Sequence, residues 1–226
     1  MSDLEAGDLA WMRRRYERGR LLEADVAAEP FTQFRRWLAD AVGAGLPEPN
    51  AMVLATADAH GRPSARHVLL KELDDRGFVF FTNYGSRKAA DLSVNPAAAL
   101  CFPWVGLERQ VVVSGTVSRV TRAESDAYWA TRPRESRLGA WASAQSRVVG
   151  SRDELEVRLR EVAERFPDEV PLPYWWGGYR VVPDSVEFWQ GGPGRLHDRL
   201  RYSSVTGQSP ASLGAAGSWV LERLSP

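Results

Sequence analysis

The sequence predicts a mainly β protein with helices, folded as a single domain over residues 1–226 around an antiparallel barrel. Three observations predict this fold. Short apolar segments of strand composition recur along the chain, and turn sequences such as DAHGRP and DDRG separate several of them. No internal repeat or linker divides the chain into two cores. Many short strands joined by tight turns close most readily into a barrel.

The first 45 residues predict a helical N-terminal segment. From Phe31 to Val42, apolar residues recur at spacings of three and four, which places them on one face of a helix. Gly43 and Gly45 then end the pattern. We therefore expect the first helix over about residues 31–42.

Residues 51–120 have mainly strand composition. The segments AMVLAT, SARHVLLKEL and FVFFTN predict a three-stranded meander. GSRKAADLSVNP then predicts a short helix, with Ser86 as its N-cap and Pro96 as its stop. AAALCFPW and ERQVVVSGTVSRV return to strand composition and extend the sheet.

The rest of the chain combines helices with strands. A T-x-x-E spacing from Thr121 and an S-x-x-E spacing from Ser151 have the form of capping boxes and predict two helices. GGYRVVPDSVEFWQG, RLHDRLRYS and GSWVLERLSP predict the final strands, which make residues 184–226 a C-terminal strand region. A Gly/Ser/Ala-rich loop is predicted over residues 203–218. On the second of these strands Arg195 and His197 are expected to share one face, which Arg199 continues.

The composition argues against several classes of protein. With 29 basic and 29 acidic residues, the chain has no net positive field to hold nucleic acid or anionic lipid, so RNA binding through RRRYERGR is disfavoured. Cys101, the one cysteine, lies in an apolar run and is expected to be a buried small hydrophobe. Without a disulfide pair, a secretory h-region or an apolar stretch of about 18 residues, the sequence predicts a cytoplasmic protein.

Cations cluster at two places in the first half of the chain. RHVLLK has basic residues at both ends, Arg66 and Lys71, with aliphatic residues between them. Such a strand can hold a charged ligand at a barrel rim, or its cations can be ordinary surface groups of an edge strand. Ser86, Arg87 and Lys88 stand at a predicted helix start, where free backbone amides favour a phosphate and cations are normally disfavoured.

A third group of donors follows in YWATRPRES. Tyr128, Arg132 and Ser136 are spaced by four residues and would share a face of a continuous helix, although Pro133 interrupts that pattern. A phenol, a guanidinium and a hydroxyl could bind a second phosphate, or form an ordinary helix surface. The chain lacks a G-x-G-x-x-G fingerprint, a Walker loop, an H-E-x-x-H motif and a C-x-x-C motif.

The stretch SVEFWQGGPGRLHDR, residues 185–199, resembles the C-terminal signature of the pyridoxamine 5'-phosphate oxidase family. Collinear matches cover nearly the whole chain and include MRRRY, EPNAMVLAT, RHVLLK, FFTNYGSRKA, FPW, ERQV, RPRESRLGAWAS, QS, PLPYWWGGYR and ERLSP. The resemblance implies an FMN-binding split β-barrel. It also implies FMN as cofactor and a homodimer whose two active sites lie at the subunit interface.

The resemblance further implies roles for individual residues. Contacts with FMN are expected from Arg66, Val68, Lys71, Phe81, Thr82, Arg87, Lys88, Gln110, Gln145, Ser146, Trp189 and Arg199. The substrate phosphate is expected to contact Lys71, Tyr128, Arg132 and Ser136, and its pyridine ring the catalytic pair Arg195 and His197. Arg13 and Tyr16 match a segment that closes over the site in relatives. No metal ligand is expected.

The activity implied is that of an FMN-dependent oxidase. It would convert pyridoxamine or pyridoxine 5'-phosphate to pyridoxal 5'-phosphate and reduce O2 to hydrogen peroxide. One alternative is an oxidase of the same fold acting on another small aromatic, as in phenazine-biosynthesis relatives. A second is a non-catalytic protein that binds flavin or pyridoxal phosphate.

Overall fold

The computed structural model describes residues 15–205, 213–214 and 217–226. The helices of this part of the chain are α1 (Pro30–Gly43), α2 (Arg87–Val94), α3 (Arg122–Thr131), α4 (Arg134–Ala142) and α5 (Arg152–Arg165). The strands are β1 (Ala51–Ala57), β2 (Pro63–Leu69), β3 (Glu72–Asp74), β4 (Gly77–Asn83), β5 (Ala97–Trp104), β6 (Arg109–Arg119), β7 (Trp176–Gln190), β8 (Asp198–Ser204) and β9 (Trp219–Arg223).

The strands form one curled antiparallel sheet, so the predicted mainly β barrel with helices is confirmed as a half-barrel. Its main path runs β2-β1-β5-β6-β7-β4-β3, and β8 joins β7 to β9. Strand β7 is the centre of this arrangement. One of its edges pairs with β6 along nearly its whole length, while the other edge pairs first with β4 and then with β8. A bulge between Ser114 and Gly115 lies close to this change of partner.

Helix α1 fills the inside of the curl. Glu29 caps it, because the side chain accepts hydrogen bonds from the backbone N–H groups of the first turn. Phe34 packs edge-on against Phe78 and Phe102, with ring centroids 5.0 and 4.8 Å apart. Each aromatic side chain removed from water in this way stabilises the fold by about 1.5–3 kcal/mol. The predicted N-terminal helix is therefore confirmed, one residue longer at each end.

The predicted three-stranded meander is wrong. β1 and β2 form one hairpin and β3 and β4 another, but no strand ladder joins β2 to the second hairpin. β1 pairs instead with β5, and β4 with β7. Turn residues predict which neighbouring strands form hairpins, whereas pairing between distant strands depends on how the whole sheet closes.

The two helices predicted between β6 and β7 are confirmed together with their N-caps, but a third helix between them was not predicted. Thr121 forms a complete capping box and Ser151 caps α5. A third helix, α4, begins after Pro133, because proline ends α3 without preventing a new helix from starting. None of the helices in the described ranges is long and apolar enough to cross a bilayer.

The RLHDR segment also differs from its prediction. Pro193–Arg195 forms a 3-10 turn, and Arg195 adopts a left-handed backbone with φ of 66°. β8 begins only at Asp198, so Arg195 and His197 do not project from one strand face. The glycines of WQGGPG produce a turn where alternation alone suggested a strand. Most of the predicted 203–218 loop lies outside the described residues.

Candidate active site

A cavity of about 680 Å³ lies between the end of β2, strand β4 and helices α3 and α4. Lys71, Lys88 and Arg132 supply positive charge to it, and no Asp or Glu occurs among its lining residues in the described ranges. Such a lining favours an anionic ligand. The cavity brings together many of the predicted site residues: Val68, Lys71, Phe81, Thr82, Lys88, Tyr128, Arg132, Ser136 and Gln145.

Lys88, near the start of α2, is the most deeply buried of these cations. Its side chain reaches back to β4, where Nζ lies 3.0 Å from Thr82 Oγ1, and it also lies 3.1 Å from Gln145 Oε1. These acceptors are neutral. Burial, with a smaller effect of the Arg66 charge, lowers the pKa of Lys88 to about 8. A phosphate would supply the negative charge that its surroundings lack.

Arg66 lies just behind the cavity and is held by polar groups of β1, β2 and α2. Its guanidinium donates to Leu54 O and Thr56 Oγ1, at 3.1 and 2.8 Å, and lies 3.8 Å from Asp91 Oδ2. Asp91, in α2, also accepts hydrogen bonds from Thr56 and Ser64. Burial lowers the pKa of Arg66. The network therefore fixes the guanidinium close to Lys88.

Arg87 and Ser146 lie beside the same cavity. The backbone N–H of Arg87 donates to Ser146 Oγ at 3.2 Å, which ties the start of α2 to the segment after α4. Ser86 occupies the N-cap position, but its side chain makes no capping hydrogen bond. The first turn of α2 and the Gln145–Ser146 segment are thus in direct contact.

Aromatic rings form another part of the cavity wall. Phe81 stacks on Tyr128 with centroids 3.9 Å apart, and on Trp176 with centroids 5.6 Å apart. The guanidinium of Arg132 lies 4.4 Å from the Trp176 ring centroid, a cation–π contact. Burial lowers the pKa of Arg132. The wall therefore holds a cation that has no carboxylate among the lining residues described.

Tyr128, Arg132 and Ser136 do not lie on one continuous helix. α3 ends at Thr131 and α4 begins at Arg134, with Arg132 in extended backbone between them. The break nevertheless leaves all three at the same cavity, and Arg132 donates to Ser136 O at 2.8 Å. The predicted donor group is brought together by a helix-to-helix corner.

A second cluster of predicted residues lies at the far end of β7. Tyr16 packs edge-on against Trp189 and His197, with centroids 5.7 and 5.5 Å apart. The backbone N–H of Gly192 donates to Nδ1 of His197 at 3.1 Å, so the neutral imidazole carries its proton on Nε2. Gln110 pairs with Trp189 across the β6–β7 ladder.

Arg195 and Arg199 flank this second cluster. Arg195 lines a cavity of about 320 Å³ together with Tyr16. Arg199, predicted to contact the flavin, makes a two-pronged ion pair with Glu187 at 2.8 and 3.0 Å and donates to Ser225 O. The hydrogen bond with Glu187 raises the pKa of Arg199. Arg13 lies outside the described residues.

The predicted residues thus divide into two groups within one chain. Trp176 borders the large cavity at the start of β7, whereas Trp189 belongs to the second cluster near the end of this 15-residue strand. At about 3.3 Å per residue the two tryptophans are separated by about 40 Å along the strand. A single chain does not bring these groups together.

Several cavity residues were not predicted from the sequence. Among them are His67, Asn83, Thr131, Ser143 and Trp176. Trp176 lies within the PLPYWWGGYR match. The match contains three consecutive aromatic residues, and the sequence does not show which of them lines the cavity. No group of three or more His, Cys, Asp or Glu residues suited to a metal ion occurs within the described ranges.

Comparison with protein families gives two matches along the chain. Residues 38–166 match the model described as pyridoxamine 5'-phosphate oxidase. Residues 176–226 match the model described as the pyridoxine 5'-phosphate oxidase C-terminal dimerisation region. The second match supports a homodimer and covers the strand that joins the two groups of site residues.

Curated relatives share more than half of their residues with this chain. A pyridoxine/pyridoxamine 5'-phosphate oxidase from Acidothermus cellulolyticus is 59% identical over 212 residues, covering 92% of this chain and 91% of the relative. A protein of the same name from Cupriavidus taiwanensis is 58% identical over 218 residues, covering 96% of this chain and 99% of the relative.

Solved structures include similar folds. PhzG from Burkholderia lata 383, in complex with tetrahydrophenazine-1-carboxylic acid, has a TM-score of 0.82 and 32% identity over 91% of this chain and 98% of that protein. A pyridoxamine 5'-phosphate oxidase-related, FMN-binding protein from Nostoc punctiforme has a TM-score of 0.67 and 18% identity, covering 85% and 97% of the two chains. The second likeness concerns the fold alone.

Proposed function

This chain belongs to the pyridoxamine 5'-phosphate oxidase family, and from that membership we propose that it is an FMN-dependent oxidase of phosphorylated B6 vitamers. It converts pyridoxamine or pyridoxine 5'-phosphate to pyridoxal 5'-phosphate and reduces O2 to hydrogen peroxide. The observation that carries the proposal is a cavity with three cations and no carboxylate among the lining residues described. FMN and the vitamer substrate are both phosphate esters, so each brings negative charge to the cavity.

The residues at the cavity fit FMN. Lys88 is buried against neutral acceptors, and Arg66 and the first turn of α2 lie beside it. Bound FMN supplies a two-electron acceptor that O2 reoxidises. The residues proposed to hold it in one chain are Arg66, Val68, Lys71, Phe81, Thr82, Arg87, Lys88, Gln145 and Ser146, with Gln110, Trp189 and Arg199 contributed from the second cluster.

Lys71, Tyr128, Arg132 and Ser136 are proposed to hold the substrate phosphate as a remote anchor. Charge-assisted hydrogen bonds to these donors replace the water that the phosphate loses. The anchor orients the rest of the substrate, so binding energy at the phosphate serves positioning at the reacting carbon. The aromatic wall excludes water from one side of this cavity.

Arg195 and His197 are proposed to act on the pyridine ring of the substrate. His197 accepts the Gly192 N–H at Nδ1, which leaves the Nε2 proton available to donate to a ligand oxygen. Arg195 supplies a fixed positive charge, and Tyr16 packs edge-on against the imidazole. No covalent nucleophile is required from the protein.

The two groups of residues are proposed to meet across the interface of a homodimer. The match to a dimerisation region supports the dimer. The separation of the cavity and the second cluster along β7 supports their combination between subunits, because one chain holds both groups but at opposite ends of a strand. Each dimer then has two equivalent sites. A single FMN-binding domain over residues 1–226 and a cytoplasmic location remain predictions.

The alternative of a phenazine-type oxidase is less well supported. The chain is 32% identical to PhzG but 59% identical to a relative named as an oxidase of the phosphorylated vitamers. The phosphate anchor would also serve no purpose for a substrate without a phosphate. The other alternative, a non-catalytic protein that binds flavin or pyridoxal phosphate, differs from an oxidase in that it forms no peroxide from the vitamers.

The deciding experiment is a visible spectrum of the purified protein, followed by aerobic assays with both phosphorylated vitamers. We expect a non-covalent yellow flavin that acid precipitation releases, and formation of pyridoxal 5'-phosphate with stoichiometric peroxide. A protein that does not bind added FMN, or that oxidises a dihydrophenazine but neither vitamer, contradicts the proposal.

A further inference from the structure

Four charged side chains form a compact cluster outside the cavity. Arg180, in β7, pairs with Asp74 at the end of β3 and with Glu124 in the first turn of α3, the latter at 3.0 Å. Arg76 pairs with the same two carboxylates, at 2.6 and 3.1 Å. Two positive and two negative charges balance, so the cluster has no charge left over for a ligand.

Arg180 is the buried centre of this cluster, with a side chain only 7% exposed. The two oxygens of Glu124 have separate roles: Oε2 completes the capping box with Thr121, and Oε1 accepts from both arginines. Burial raises the pKa of Glu124, but hydrogen bonds from Thr121 and Arg180 outweigh it and lower that pKa to about 2. The carboxylate therefore stays charged across the physiological range.

A cavity residue lies on, or directly before, each of the three elements that Arg180 joins. Tyr128 follows Glu124 by four residues, about one turn of α3. Lys71 precedes Asp74 by three residues, and Trp176 precedes Arg180 by four in β7. All three neighbours line the cavity. The cluster thus joins the wall that carries Lys71 to the wall that carries Tyr128 and Arg132.

We propose that Arg180 is a positioning residue for the substrate phosphate, because it fixes the distance between Lys71 on one wall and the α3–α4 corner on the other. The role rests on the proposed function. Arg180 itself is not among the residues that line the cavity. A buried guanidinium that bridges two carboxylates in a fixed fork cannot be replaced by a single-point cation without loss of that geometry.

The test compares phosphorylated with unphosphorylated substrate. We measure kcat/KM with pyridoxine 5'-phosphate and with pyridoxine for the wild type, Arg180→Gln, Asp74→Asn and Arg180→Lys. The readout is the value for pyridoxine 5'-phosphate divided by the value for pyridoxine. We expect Arg180→Gln and Asp74→Asn to lower this ratio by about tenfold or more, with Arg180→Lys intermediate. A loss of folded protein alone lowers both values equally and leaves the ratio unchanged.

Thr121→Ala is the matched control, because it removes the cap of the same helix but leaves both arginines in place. It should lower the melting temperature and keep the wild-type ratio. If Arg180→Gln does not fold, Asp74→Asn carries the test, since it removes one charge with little change of shape. If the wild type oxidises neither compound, the proposed function is overturned. If the wild type prefers pyridoxine 5'-phosphate to pyridoxine and the folded variants keep the same ratio, only the role of Arg180 is overturned.

Discussion

The ammonium nitrogen of Lys88 lies 3.0 Å from the hydroxyl of Thr82, and neither residue has a carboxylate among the hydrogen-bond partners described. A buried cation that is solvated only by neutral groups is costly in the empty protein and favourable beside a phosphate. The same residue should therefore affect stability and cofactor binding in opposite directions.

We expect FMN affinity to fall as pH rises above about 8. The phosphate binds best to protonated Lys88, whose pKa in the free protein is about 8, so the protein must take up a proton to bind at higher pH. Quenching of flavin fluorescence, measured from pH 7 to 9.5, gives the dissociation constant. In Lys88→Met the affinity should be lower throughout and this pH dependence should disappear; an unchanged profile would contradict the assignment.

Lys88→Met should also make the FMN-free protein more stable at pH 7. In the wild type the folded pKa of about 8 lies below the ordinary value of 10.5, so the unfolded chain binds more protons between these values and stability rises with pH across them. Below pH 8 the folded protein bears the cost of the buried charge, and methionine removes it. Urea unfolding of both apo-proteins at pH 7 and 10.5 measures the difference, which should shrink at the higher pH.

Arg132→Met should weaken binding of the phosphorylated substrate. Loss of a hydrogen bond to a charged group costs about 1.5–3 kcal/mol, which corresponds to a roughly 10- to 150-fold fall in kcat/KM. Unphosphorylated pyridoxine should be affected much less, and FMN occupancy should not change. Arg152→Met, at a position with an 82% exposed side chain, is the control and should match the wild type. Equal losses for both substrates would argue against a phosphate contact.

Hybrid dimers test whether sites combine two subunits. Lys71→Met alters the cavity and Arg195→Leu the second cluster, and each homodimer should be nearly inactive. Random mixing makes half of the dimers hybrids with one intact site, so activity should recover to about a quarter of the wild type. Lys71→Met mixed with Arg132→Met should give no recovery, because both changes affect the cavity. Absence of recovery in the first mixture would show that each site belongs to one chain.

The second cluster should separate into substrate and cofactor residues. Arg195→Leu and His197→Leu are expected to keep flavin but to lose vitamer affinity, oxidation rate or both. Arg199→Leu should weaken FMN retention, and it also leaves Glu187 without its ion-pair partner. Flavin occupancy and steady-state kinetics are measured for each variant. Near-wild-type kcat/KM in both of the first two would refute the assignment of this stretch to the substrate.

The sequence predicted those elements that depend on local chemistry. Thr121 was identified as a cap because a hydroxyl and a glutamate three residues later satisfy adjacent backbone amides. The pairing of β4 with β7 was not identified, because nothing near Phe81 specifies a partner almost 100 residues away. The motif matches located many of the residues that line the cavity, but the positions of the two groups relative to each other depend on how the sheet folds.

Ion pairs between residues distant in sequence were likewise not predicted. The residues Asp91, Glu187 and Glu124 hold predicted or proposed site arginines, yet each is separated from its partner by between 12 and 56 residues in sequence. Charge patterns within a helix predict contacts at spacings of three or four. Contacts between strands and helices depend on the closed fold. The supporting residues of a site are thus less visible in a sequence than the residues that touch the ligand.

Two glycines flank β7 near the point where its partner changes. A Cβ atom at Gly77 in β4 would clash with the carbonyl oxygen of Val181, and one at Gly115 in β6 would clash with that of Val182. In most of a sheet a slip of two residues keeps every side chain on its own face. Here such a slip would place a side chain against a backbone carbonyl oxygen of β7, both at its β4 edge and at its β6 edge. The two glycines therefore lock the register of β7, and so fix Trp176 opposite Asn83 of β4 and Trp189 opposite Gln110 of β6.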